Sequence, residues 1–160
     1  MAISQGDTLP DAELTVVTGD GPDKKQAKDI FSGRKVVLFA VPGAFTPTCH
    51  NNHMPGFVEN ADAMREKGVD EIVVVAVNDP FVMGQWREAS GAKDITFVAD
   101  GNADFTRALG MDADLSVAGL GTRSKRYAMI VDDNRVAFMD VEDSPGEVKK
   151  SGAAQVMENL

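Results

Sequence analysis

Cys49 is the one cysteine in a chain of 160 residues, and its setting is that of a reactive thiol. It follows an apolar run, Lys35–Val41 (KVVLFAV), across a Pro42-Gly43 break, and falls in the first turn of a helical pattern that begins near Thr48. At such a place free backbone N–H groups and the positive end of the helix dipole favour an anion, and the thiolate is the form of cysteine that attacks electrophiles. Ligand sites of α/β sheets also lie beyond the carboxyl ends of strands. Thr46, three residues earlier, offers a hydroxyl that can hydrogen-bond the sulfur or its reaction partner; taken alone it reads first as the cap of the helix, and the two roles can coexist. A lone cysteine excludes an intramolecular disulfide and a CxxC pair, so any redox chemistry at Cys49 requires a second molecule.

Other readings of the same residues compete. Free cysteine is among the most buried residue types and is often inert. Cys49 and His53 are four apart on a possible helix face with His50 adjacent, which is metal-like spacing, although a single soft ligand is a poor set. His53 as a general base would make a Cys-His hydrolase or transferase, but two side chains on one helix are badly placed to share a carbonyl, and no orienting third group is evident. A non-catalytic binding module is the remaining alternative. His53 is read as a structural residue bonding the loop backbone, and His50 as a surface residue. Arg123, Lys125 and Arg126 form a basic cluster ahead of the segment YAMIVD, by itself the mark of a solvated strand end.

The elements that would position these groups follow from periodicity. Glu13–Thr18 reads as an edge segment ending in the turn at 19–22, and Gln26–Phe31 as a short helix stopped by Gly33. Lys35–Val41 and Glu71–Val77 (EIVVVAV) are apolar throughout, the pattern of strands buried on both faces. Between them helical patterning from Thr48 to Lys67 is interrupted at Pro55 and capped by Gly68. Asp79 and Pro80 are an N-cap and first-turn pair for a helix to about Ala89. Ile95–Val98 and Ala103–Leu109 read as a strand and helix. Arg126–Val131 and Arg135–Val141 read as two alternating strands of a hairpin around Asp132-Asp133-Asn134, and a terminal helix spans Gly152–Asn159. This order implies an α/β chain with a central mixed β-sheet, helices on both of its faces and an N-terminal β extension: a thioredoxin-like fold.

Composition bounds the function. Residues 1–160 hold 43% hydrophobic side chains, enough for the core of a single domain. The formal net charge of −9 repels phosphate backbones and speaks against nucleic-acid binding. No run approaches the roughly 18 apolar residues of a membrane span. The start, MAISQGDTLP, lacks the basic and apolar regions of a secretory signal. The expectation is a soluble, cytoplasmic protein with no membrane partner; an organelle transit peptide removed earlier would leave no trace.

The segment VPGAFTPTC, with Pro42, Thr46 and Cys49 in PxxxTxxC spacing and HMPGF following, resembles the active-site motif of peroxiredoxins, in particular the type II, peroxiredoxin-5-like subgroup. VNDPFVMGQW (Val77–Trp86) and SKRYAMIVDD (Ser124–Asp133) are similar to that subgroup in the same order, so the resemblance covers about Gly6 to Glu142. It implies a thiol peroxidase reducing hydrogen peroxide and alkyl hydroperoxides, with no cofactor and no metal. Cys49 would be the attacking cysteine, Thr46 its hydroxyl partner, Pro42 the shield of the pocket, and Arg126, rather than Arg123, the motif arginine. The N–H groups of Thr48 and Cys49 would help bind the peroxide. The chain departs from many relatives in having no resolving cysteine: Val74 stands where a plant-type relative has one and Lys150 near where an animal-type relative does. A one-cysteine cycle is therefore implied, regenerated by glutathione with glutaredoxin or by thioredoxin. Phe81, Met83 and Trp86 have the spacing of core residues on a helix. The resemblance nevertheless suggests an apolar pocket rim of exposed Phe45, Phe81 and Leu120, and a homodimer through it.

The resemblance also sets what the site must supply. Taking a thiol from a pKa of about 8.5 to about 6 raises its thiolate fraction at pH 7 roughly 30-fold, but a Brønsted slope of about 0.4–0.5 removes about 10-fold or more in nucleophilicity. Speed must come from donors aimed at the departing oxygen, each worth about 3 kcal/mol.

Overall fold

The computed structural model describes residues 2–160. In chain order it contains β1 (Glu13–Thr18), β2 (Gly21–Gln26), α1 (Ala27–Phe31), β3 (Lys35–Ala40), a π-helical turn (Cys49–His53) running into α2 (Met54–Glu66), β4 (Glu71–Ala76), α3 (Pro80–Ser90), β5 (Thr96–Ala99), α4 (Asp104–Ala108), β6 (Asp112–Asp114), β7 (Thr122–Ser124), β8 (Tyr127–Asp132), β9 (Arg135–Val141) and α5 (Ala153–Glu158).

Seven strands form one mixed sheet in the order β2-β1-β5-β4-β3-β8-β9, and β6 and β7 pair separately. The adjacent inner strands β4, β3 and β8 are apolar throughout because successive side chains enter opposite layers. Val37 and Phe39 of β3, Ile72 and Val74 of β4, and Ala128 and Ile130 of β8 meet α2, α3 and α5 through Phe57, Met64, Met83, Trp86 and Val156. Val36 and Leu38, Val73 and Val75, and Met129 and Val131 meet α1 and α4 through Ile30, Phe31 and Phe105. Helices thus cover both faces. Cys49 lies in the first of these layers.

Local chemistry sets the ends of elements. Asp79 Oδ1 accepts from the N–H groups of Phe81 (2.9 Å) and Val82 (2.8 Å), starting α3. Asp133 and Asn134, both at positive φ, make the two-residue turn between β8 and β9, as a tight hairpin demands.

One reading of the sequence needs correction. Glu13–Thr18 is not an edge: β1 lies between β5 and β2. The edge is β2, whose sequence GPDKKQ is polar and largely exposed, so no apolar alternation announced it, and its charges suit an open strand edge. The helix at Pro55 is in two parts, as expected: the π turn Cys49–His53 ends just before it, and Pro55 sits in the first turn of α2, where a missing N–H costs little.

Candidate active site

The loop between β3 and α2 is pinned at each step. The Val41 N–H donates to Val75 O at 3.2 Å, extending the β3–β4 ladder by one residue. Pro42 O accepts from Arg123 Nη1 at 3.3 Å, while Arg123 Nε donates to Leu120 O at 2.9 Å. The Ala44 N–H donates to Asn78 Oδ1 at 2.9 Å. Phe45 then takes a φ of 64°, a left-handed conformation that costs a non-glycine residue about 1–3 kcal/mol and persists only where its surroundings enforce it. His50 N–H donates to Thr46 O at 2.9 Å, opening the helix. The turn then widens, with the Met54 N–H reaching Cys49 O five residues back, and such π turns occur often at functional sites. By the rule for helix starts, the first N–H groups of the segment, those of Thr48 and Cys49 among them, precede the repeating intrahelical bonds.

Two side chains converge on the Cys49 sulfur, which is fully buried. Thr46 Oγ1 lies 2.8 Å from Sγ and 2.7 Å from Gly43 O. One hydroxyl proton serves one acceptor at a time. Opposite a thiol the hydroxyl can accept from S–H and donate to Gly43 O; opposite a thiolate it donates to the sulfur. Arg126 Nη2 donates to Sγ at 3.0 Å from the other side. Arg126 is 2% exposed, and an arginine stays charged even there.

Two further N–H groups of the guanidinium are engaged. Arg126 Nε donates to Pro145 O at 3.0 Å, and Nη1 contacts His53 Nδ1 at 2.9 Å. His53 Nε2 lies 2.7 Å from Ser151 O. A carbonyl only accepts, so Nε2 carries the proton and Nδ1 accepts from Arg126. Burial holds the His53 pKa down, to about 4; the Ser151 carbonyl opposes this, the Arg126 charge reinforces it and the Glu142 charge opposes it. His53 is therefore a neutral ring at physiological pH, and neither nitrogen faces the sulfur as a base.

Behind Ser151 stands Glu142. Its Oε1 accepts from the Lys149 N–H (3.0 Å), and its Oε2 from the Lys150 N–H (2.6 Å), the Ser151 N–H (2.5 Å) and the Ser151 hydroxyl (2.7 Å). Burial pushes the Glu142 carboxyl up, but the bonds from the Ser151 hydroxyl and the three N–H groups outweigh it, and the group titrates below its ordinary value.

The structure brings Cys49, Thr46 and Arg126 together, with Pro42 buried in the loop beside them. Thr48 Oγ1 donates to Gly146 O at 3.4 Å. Arg123 goes to Pro42 O instead of the sulfur. The expected apolar rim is dispersed: Phe45, 45% exposed, lies over His50 and Trp86, whereas Phe81, 73% exposed, borders a separate cavity with Val17, Pro22 and Gly84. Leu120 is half-buried instead of exposed, and so is His50, whose Nδ1 accepts from Trp86 Nε1 at 3.0 Å. His53 does bond the loop backbone, but it also holds Arg126. Pro145 and Ser151 escaped the sequence reading because they act through backbone carbonyls, and Glu142 because its carboxylate binds mainly backbone N–H groups, which no side-chain motif records. Among the described residues no three His, Cys, Asp or Glu side chains gather into a metal-binding group. A cavity of about 270 Å³ borders Arg126 and Glu142, with Leu115, Val141 and Pro145 in its walls.

This geometry occurs in a chain with extensive relatives. A family model described as Redoxin matches residues 4–157. The chain is 46% identical to Peroxiredoxin-2C of Oryza sativa subsp. japonica over 162 aligned residues, covering 99% of this chain and 98% of that one. Among solved structures it is similar to reduced Prx3 of Vibrio vulnificus in complex with hydrogen peroxide, with a TM-score of 0.93, 47% identity and 98% of each chain covered. It is also similar to a Plasmodium falciparum antioxidant protein described as a 1-Cys peroxiredoxin, with a TM-score of 0.91, 26% identity and coverage of 98% and 97%.

Proposed function

The chain belongs to the peroxiredoxin family and is a thiol-dependent peroxidase, and from that premise we propose that Cys49 is its peroxide-attacking nucleophile, with Thr46, Arg126 and Pro42 completing the site. The observation that carries this reading is the placement of Thr46 Oγ1 and Arg126 Nη2 at 2.8 and 3.0 Å from one sulfur. Both can donate a hydrogen bond to the sulfur, that of the guanidinium being charge-assisted.

The thiolate attacks the terminal oxygen of ROOH in line with the O–O bond. The S–O bond forms as the O–O bond breaks, the attacked oxygen keeps its hydrogen, and Cys49 becomes a sulfenic acid. The departing RO⁻ takes a proton and leaves as water or an alcohol. Arg126 and the N–H groups of Thr48 and Cys49 bear on the oxygen as negative charge grows on it, where preorganised donors act most strongly. Pro42, buried in the loop, keeps water from the sulfur.

An external thiol then condenses with the sulfenic acid, releasing water, and a second thiol frees Cys49 as a disulfide departs. The single cysteine of the chain supports this cycle. The reductant is glutathione with glutaredoxin, or thioredoxin; steady-state peroxide consumption with each in turn separates them. The chain works as one domain, and the match over residues 4–157 supports this. No helix among the described residues is long and apolar enough to cross a membrane, and we place the protein in the cytoplasm. Phe45, exposed beside the active-site loop, supports a homodimer, and a solution-scattering mass of one chain at micromolar concentration would reject it. The site itself is tested by stopped-flow reaction with hydrogen peroxide and an alkyl hydroperoxide: Cys49→Ser is expected to consume neither, and turnover by that variant would overturn the assignment.

A further inference from the structure

The hydrogen bonds that aim Arg126 at the sulfur lead back to one carboxylate that touches neither residue. We propose that Glu142 is a positioning residue of the peroxidase site: by gathering the 143–152 loop it sets the two carbonyls that fix Arg126 and His53, and so directs Arg126 Nη2 toward Cys49. This rests on the reading of Cys49 and Arg126 given above.

Glu142 follows β9, is 7% exposed, and its own N–H donates to Arg126 O at 2.9 Å, so the loop starts from the backbone of the residue it will hold. Its carboxylate takes three successive N–H groups, from Lys149, Lys150 and Ser151, together with the Ser151 hydroxyl. Four donors converge on the carboxylate, three on Oε2 and one on Oε1, and no neutral side chain is an acceptor at both terminal atoms. Converging N–H groups of this kind form an anion-binding concavity, which fixes the direction of the adjoining Ser151 carbonyl. That carbonyl holds His53 Nε2 at 2.7 Å, and His53 Nδ1 in turn accepts from Arg126 Nη1. Pro145, in the same loop, supplies the carbonyl that accepts from Arg126 Nε at 3.0 Å. Two of the three bonds of the guanidinium thus depend on the loop that Glu142 closes, and the third goes to the sulfur.

Glu142→Gln keeps the shape but turns an NH₂ group toward N–H donors. The second-order rate of Cys49 oxidation by hydrogen peroxide is measured by stopped flow for wild type, Glu142→Gln, Arg126→Ala and the double variant, with the Tm of each. Misplacing a catalytic donor by about an ångström can cost up to 100-fold, so Glu142→Gln is expected to slow oxidation about 10-fold or more in the wild-type background. In the Arg126→Ala background it is expected to change the rate less than about twofold, because residues acting through one group are not additive. An equal loss in both backgrounds would assign Glu142 to the general fold and overturn the proposal, as would a Glu142→Gln rate within twofold of wild type. Should Glu142→Gln fail to fold, Ser151→Ala, which removes one donor to the carboxylate and keeps the carbonyl to His53, enters the same cycle: the same loss of additivity supports the proposal and additivity overturns it. An Arg126→Ala rate equal to wild type would instead defeat the underlying reading of the site.

Discussion

Arg126 Nη2 stands 3.0 Å from the Cys49 sulfur although the two residues are 77 positions apart in sequence. The arginine enters from the start of β8 and the cysteine from the loop after β3, and the antiparallel pairing of these neighbours, Ala40 opposite Tyr127, brings both to the same end of the sheet. The other two sides of the guanidinium face Pro145 O and His53 Nδ1, so its orientation is fixed before substrate arrives, and no reorganisation is needed as charge develops.

Arg126→Ala is expected to slow Cys49 oxidation about 100-fold or more, the scale of one lost donor at a developing anion. Arg126→Lys keeps the charge but cannot reproduce a planar three-way fork, and should recover only part of the rate. Stopped-flow measurement at saturating reductant checks both; a near-wild-type Arg126→Ala would remove the residue from the mechanism.

Thr46→Val preserves shape and removes the hydroxyl that lies 2.8 Å from the sulfur. A hydrogen bond to a charged group contributes about 1.5–3 kcal/mol, so the rate should fall about 10- to 100-fold, and Thr46→Ser should restore most of it. Equal rates for the valine and serine variants would contradict a role for the hydroxyl.

Stability should decline in mild acid because of His53. Its pKa is about 4 in the folded protein against an ordinary 6.5, so between those values the unfolded chain binds the extra proton. The contribution is complete above about pH 6.5, shrinks as pH falls toward 4 and is then lost, amounting to about 3 kcal/mol in all. His53→Gln, which can donate to Ser151 O and accept from Arg126 without titrating, should flatten this part of the profile. Urea unfolding of both proteins from pH 7 to 4.5 provides the comparison, and parallel profiles would rule out the buried neutral ring.

Excess peroxide without reductant should carry Cys49 past the sulfenic acid to sulfinic and sulfonic acids, since no second cysteine in the chain can capture it. Intact mass should rise by two and then three oxygen atoms, at Cys49 alone among cysteine positions, and activity should not return on adding thiol. Full recovery after such treatment would argue against the one-cysteine cycle.

The central sheet was legible because β3 and β4 bury both faces and so carry unbroken apolar runs, whereas β8, expected to alternate as one arm of a hairpin, is buried on both faces as well; the thiol at the mouth of β3 was legible because residue type and spacing define it. β2 and the β6–β7 pair were not, being short, polar and dictated by their neighbours rather than by their own pattern. Arg126 could be singled out from Arg123 only by resemblance; in the structure they divide the labour, one on the sulfur and the other on Pro42 O. The dependence of Arg126 on Ser151 and Glu142 is a property of backbone groups brought close by folding, and composition carries no trace of it.

The most direct test of the account is mass spectrometry of the reduced protein quenched seconds after one equivalent of hydrogen peroxide, with a sulfenic-acid trap present. The account predicts a trapped adduct on Cys49 in nearly every molecule, and none in Cys49→Ser. An unmodified Cys49 after that exposure would contradict it.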